Sequence, residues 1–236
     1  MSKYFDLNKN FKQDFQLYLD FINTRQTNYA INSERYIQEI KYIYKGIYSL
    51  LTFYNKSLQH KNKHLQECVY NMPIALDLIS TNNINAARLL TRNIIEQFNR
   101  YLFYNLNEKK SDTIRNMHDY LKKHFKKFKI NKYVQLLTSE YKNLCEYVHV
   151  TGSSFFTEKY TLNEYYFNTK QLKNLSRFTK SFSKIFQAIL IILISMEVNS
   201  FLKLTREDQA LIEQCFQGEI EDFIILNNYY HRTPTS

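Results

Sequence analysis

Glycine, proline and tryptophan are scarce or missing: the 236-residue chain holds three glycines, two prolines and no tryptophan. That leaves too few turn formers for a β-sandwich or a barrel, and too few glycines for phosphate-cradling loops. The three cysteines, Cys68, Cys145 and Cys215, are far apart and form no CxxC pair. Neither a disulfide framework nor a paired-cysteine zinc site follows from them, and a reducing cytoplasm is the simplest home. The chain also lacks a GxSxG elbow and an HExxH helix, so the common serine-hydrolase and zinc-protease chemistries are excluded. Its first residues, MSKYFDLNKNFKQDF, have no apolar signal core. The most apolar run, IFQAILIILI at 185–194, is shorter than the roughly 20 residues a bilayer crossing takes. It reads as the buried central helix of a bundle, with no membrane partner.

What is present is helical periodicity. Residues 4–23 place Phe11, Phe15, Leu19 and Ile22 near one side of a short amphipathic helix. From Ser33, Ile37, Ile40, Ile43 or Tyr44, Ile47, Leu50 and Leu51 recur at spacings of three and four. Further helices are predicted over about 63–80, where Pro73 should kink or divide the helix, and over 84–105, with Leu89, Leu90, Ile94, Phe98 and Leu102 as its apolar face. Residues 111–132 begin with a Ser cap and become strongly basic, and another helix covers 131–148. The longest helix is expected over 168–203, and TREDQALIEQCFQG opens with Thr205 and Asp208 in a variant of the capping box and closes at Gly218. No internal repeat appears. The expectation is an all-α antiparallel bundle of four to five long helices over 33–228, with an N-terminal helical extension at 1–32 and a flexible tail at 229–236.

The charge balance is one-sided, with 32 Lys and Arg against 22 Asp and Glu. A surplus of ten favours a polyanion or an acidic partner, beside the plain alternative of Lys-rich solubility. It is concentrated at Lys122, Lys123, Lys126, Lys127 and Lys129. This segment reads either as a solvated face or as a surface that tracks RNA phosphates, with Phe125 and Phe128 docked on the bundle beneath it. Most other aromatic residues fall at helical spacing and read as core.

Three further constellations carry candidate chemistry. Arg92 and Glu96, four apart in RNIIE, project from one side of their helix, as a surface ion pair or as part of a site. In YKNLCEYVH, Lys142 and His149 stand seven apart on one face, just before the chain breaks into Gly152, Ser153 and Ser154. His149 is either a proton-transfer group at a helix end or a ring that caps it. Lys142 can hold a phosphate as a point charge, and Cys145 reads as a structural thiol. His60 and His64, four apart, have metal-ligand spacing, but in the polar run QHKNKH they read as exposed.

Two of these segments together resemble the HEPN superfamily (higher eukaryotes and prokaryotes nucleotide-binding), in its abortive-infection and toxin branch. They are the Arg-xxx-Glu helix with following aromatics, ARLLTRNIIEQFNRYLFY, and the later helix that closes on a histidine, YKNLCEYVHVTGS. Nuclease members of the family carry an arginine separated from that histidine by four to six intervening residues; here Lys142 stands with six between, and no arginine is found at a permitted spacing. The resemblance implies a helical homodimer in antiviral defence that cuts tRNA or other cellular RNA without metal or other cofactor, under a phage trigger or an antitoxin. It implies His149 as acid or base, Lys142 and Arg92 as stabilisers of phosphorane charge, and Glu96 as the residue that orients Arg92 or the histidine. A non-catalytic relative that binds RNA or a phage protein is the other outcome the missing arginine allows.

Overall fold

The computed structural model describes residues 9–25, 34–58, 62–81, 83–107, 112–148 and 170–216. Among them are nine α-helices and no strand. They are α1 (Lys9–Arg25), α2 (Glu34–Ser57), α3 (Lys63–Ser80), α4 (Ile84–Leu106), α5 (Ile114–His124), α6 (Asn131–Val148), α7 (Lys170–Met196), α8 (Val198–Leu202) and α9 (Arg206–Glu213). One 3-10 turn, Phe125–Lys127, links α5 to α6. The helices pack as an antiparallel bundle, and α1 lies against α2 as an N-terminal extension.

The apolar stripes explain the packing. α7 is the central helix: Phe182, Ile185, Phe186 and every residue from Ala188 to Ile194 are buried, and it touches α2, α4 and α6. Its segment Ser176–Met196 has the length and apolar content of a membrane span, yet 72% of that window is buried inside the bundle. α2 presents Ile40, Ile43, Ile47 and Leu50 to α7 and α3, and each such side chain contributes about 1.5–3 kcal/mol by leaving water. At Gly46 the backbone of α2 lies directly against a ring of α7. A Cβ there would lie 2.0 Å from Cε2 of Phe186, so only hydrogen fits. α3 and α4 form the most extensive helix pair, and α5 closes over α4 and α6.

Several expectations are corrected. α3 is not divided at Pro73; it runs unbroken through it, although the proline can donate no hydrogen bond to the turn before. The long helix stops at Met196, because Glu197 leaves helical dihedrals while its carboxylate takes hydrogen bonds from Tyr101 and Ser200. The cap of α5 is Thr113, whose hydroxyl accepts from the Asn116 amide; Ser111 is outside the described residues. The capping box of α9 is as expected, with the Thr205 hydroxyl accepting from the Asp208 amide, but the helix ends at Glu213; Gly218 is outside the described residues. Leu89 is 52% exposed, and the buried face of α4 is carried by Ala87, Ile94, Ile95, Phe98 and Leu102.

Candidate functional site

Periodicity places Tyr141 and Leu144 on the buried side of α6, and that side faces α4. Tyr141 thereby enters the polar edge of α4, where Arg92, Glu96 and Arg100 lie one turn apart. The Arg92 guanidinium donates from Nη2 to the Tyr141 hydroxyl (3.3 Å) and from Nε to Cys145 Sγ (3.3 Å), and lies 5.4 Å from the centre of the Tyr141 ring. The Tyr141 hydroxyl in turn donates to Glu96 Oε2 at 3.2 Å. The other carboxylate oxygen receives two hydrogen bonds from Arg100, at 2.8 and 3.2 Å.

Glu96 is therefore flanked by arginines four residues before and four after, and its ion pair is with Arg100. This corrects the expected Arg92–Glu96 pair. Acid-before-base is the favoured order for an i,i+4 pair, and α6 supplies competing partners for Arg92. Tyr141 connects the two, so Arg92, Glu96 and Arg100 form one hydrogen-bonded chain. Burial raises the Tyr141 phenol to about 12, with Arg92 pulling the other way; it stays neutral and acts as a bridge.

Behind this chain sits a residue the sequence reading passed over. His118 of α5 is 5% exposed, its ring meets Tyr141 edge-on at 5.0 Å, and Asn99 Nδ2 donates to its Nε2 at 2.9 Å. Burial lowers its pKa to about 4, and the charges of Lys122 and Lys142 push the same way against Asp119 and Glu96. It is neutral at physiological pH and holds Tyr141 in place. Its signal was available: His118 stands three before Leu121 and seven before Phe125, on the apolar stripe.

Lys142 is exposed on α6, immediately after Tyr141. Its charge, like that of Lys122, disfavours protonation of His118. Two guanidiniums thus share one carboxylate, Arg100 directly and Arg92 through the Tyr141 hydroxyl, an arrangement with cationic capacity left for a phosphate oxyanion. His149, Gly152, Ser153 and Ser154 lie outside the described residues.

In the basic segment, Lys123, Lys126, Lys127 and Lys129 are exposed and Lys122 is half-buried. Phe125 docks on the core as expected, but Phe128 is 45% exposed and does not. The chain leaves helical geometry at Phe128 (φ −96°, ψ 145°), which turns this ring off the buried stripe.

His64 is half-buried rather than exposed; its Nδ1 contacts Gln97 Oε1 at 2.7 Å and its ring stacks on Tyr104 at 5.3 Å. His60 lies outside the described residues. Among the described residues no three His, Cys, Asp or Glu side chains converge as a metal site. All three cysteines are free. A cleft of about 540 Å³ opens elsewhere, between the start of α6 and the middle of α7, lined by Lys132, Tyr133, Leu136, Lys184, Gln187, Ile191 and Phe216. No known protein family, curated protein or solved structure matches the chain.

Proposed function

We propose that the protein acts on RNA in antiviral defence, as a HEPN-like, metal-independent ribonuclease that arrests growth by cutting tRNA or another cellular RNA in the cytoplasm. What supports this reading is the chain Arg92–Tyr141–Glu96–Arg100 on the helix pair that also carries Lys142 and leads, seven residues on, to His149. In the reaction, the ribose 2′-oxygen attacks phosphorus and the 5′-oxygen leaves, producing a cyclic phosphate and a 5′-hydroxyl. A base takes the 2′-hydroxyl proton and an acid delivers one to the leaving oxygen, with His149 filling one of these roles. Arg92 and Lys142 face the charge that builds on the phosphorane. Glu96 and Tyr141 are positioning residues, holding Arg92 at a fixed angle. Two copies of the chain complete the cleft in a homodimer, and a phage trigger or an antitoxin controls it.

The test is expression toxicity together with cleavage of total cellular RNA. His149→Ala should abolish both with the fold unchanged, and Arg92→Ala should lower cleavage by about 100-fold. Undiminished toxicity in His149→Ala would overturn the catalytic assignment. The exposed lysine row favours one second reading, a non-catalytic module that binds RNA or a phage protein. That reading predicts an effect that survives His149→Ala and disappears with the lysines.

A further inference from the structure

Tyr120, His124 and Phe128 recur every fourth residue along α5 and its continuation. Their rings form a near-parallel ladder: Tyr120 to His124 is 5.9 Å at 20°, and His124 to Phe128 is 6.1 Å at 10°. The ladder is fixed from below. The Tyr120 hydroxyl donates to the Leu106 carbonyl at 2.9 Å, and buried Phe125 meets His124 and Phe128 edge-on at 4.9 and 5.9 Å. Its outer rungs reach solvent: His124 is exposed and Phe128 is 45% exposed. Lysines interleave the rungs at 122, 123, 126, 127 and 129, and residues 120–132 contain no acidic side chain.

An exposed phenylalanine at the end of a rigid ring stack, within a row of ammonium groups, matches what a single-stranded polynucleotide offers: flat bases for the rings and phosphates for the lysines. We infer that Tyr120, His124 and Phe128 form a base-stacking platform that holds one strand of RNA, with Phe128 as its outermost contact. The inference rests on the reading that RNA is the ligand and adds to it the form of that RNA, unpaired and bound through its bases. Two other occupants fit less well. A lipid surface would meet one exposed apolar ring, Phe128, which is less apolar area than an interfacial helix lays into the acyl boundary. An acidic peptide uses the lysines but leaves three co-oriented rings without a purpose.

The platform also separates two contributions. Stacking supplies affinity that salt does not weaken, whereas the lysines supply affinity that falls by a slope of about 0.7 per phosphate contact for a single strand. The experiment is anisotropy of a labelled ten-nucleotide RNA, its abasic counterpart and a duplex of equal length, across a salt series, with the full chain. Phe128→Ala should weaken single-strand binding about tenfold with the salt slope unchanged, and leave abasic and duplex binding as they were. Phe128→Trp should retain or exceed wild-type affinity, and its melting temperature and that of Phe128→Ala should match the wild type, since the ring is outside the core. Replacing Lys123, Lys126 and Lys127 by Gln should instead flatten the slope by about two units. Equal single-strand affinity in wild type and Phe128→Ala, with the lysine effect intact, would overturn the platform and leave RNA as ligand. Wild-type protein that binds none of the three RNAs would overturn both readings. Binding to phosphatidylserine vesicles that is lost in Phe128→Ala, with no RNA bound, would assign the face to a membrane.

Discussion

Where α2 crosses α7, the contact is hydrogen against ring: Gly46 under Phe186, with Ile43, Ile47, Ile189 and Leu190 buried around it. Where α4 meets α6, the contact is a chain of two guanidiniums, a carboxylate and a phenol, with a buried imidazole behind. Both join helices distant in sequence, but they differ in what they demand. The first requires shape and tolerates no added volume. The second requires partners, since a half-buried charge that loses its hydrogen bond costs more than the bond was worth. An interface of the first kind holds a fold, and one of the second kind can also meet a ligand.

The largest expected effect tests the first contact. Glycine inside a helix ordinarily costs about 1 kcal/mol against alanine, so Gly46→Ala should stabilise an exposed helix. Here the new methyl group meets Phe186, which is 1% exposed and packed in the core. Overpacking of this kind costs about 1–3 kcal/mol, so Gly46→Ala should be net destabilising and Gly46→Leu should remove the cooperative unfolding transition altogether. Urea denaturation followed by circular dichroism measures both. A Gly46→Ala protein more stable than the wild type would mean that α2 and α7 do not approach at this point.

The next effect belongs to the second contact and is read through pH. His118 has an ordinary value of 6.5 and is lowered to about 4 in the folded chain, first by burial and then by Lys122 and Lys142. Between those values the unfolded chain binds a proton that the folded one refuses. Stability is therefore flat with respect to this group above about pH 6.5 and falls as pH drops toward 4. From pH 7 to pH 5 the loss should be about 2 kcal/mol. His118→Gln should remove most of that dependence. Equal slopes for the two proteins over this interval would show that the imidazole is solvated in the folded state.

The sequence made one contact easier to read than the other. The helices at 34–57, 63–80, 84–106 and 131–148 were legible to within a residue or two, because a three-and-four apolar rhythm sets both the helix and its buried face. The central place of the 185–194 run was legible for the same reason. The end of α7 was not, since Val198 and Phe201 continue the rhythm past the break at Glu197. At the α4–α6 edge, spacing could nominate Arg92 and Glu96 but could not choose between Arg92 and Arg100 as the partner of Glu96. That choice depends on where Tyr141 and Cys145 arrive from another helix, which no local pattern encodes. His118 was hidden by the polar run around it, with Asn116 and Asp119 on either side, although it sits on the apolar stripe.

The smallest effect sharpens the comparison most, because it alters one atom. Tyr141→Phe keeps the ring, which is the part that packs on His118 and lies beside Arg92. It removes only the hydroxyl through which Arg92 and Glu96 are joined. Loss of a hydrogen-bonded hydroxyl costs about 1 kcal/mol, and half-burial of the neighbouring charges limits it to that order, since water can replace part of the contact. Glu96→Gln alone should cost a similar amount, by weakening its pairing with Arg100. If the hydroxyl transmits between the two charges, the double variant should be less destabilised than the sum of the single variants, by roughly 0.5 kcal/mol or more. Denaturant midpoints of the four proteins measure that coupling. A purely additive result would show that the Tyr141 hydroxyl and Glu96 are energetically independent, and that Tyr141 serves only as a packed ring, as Phe186 does at the other contact.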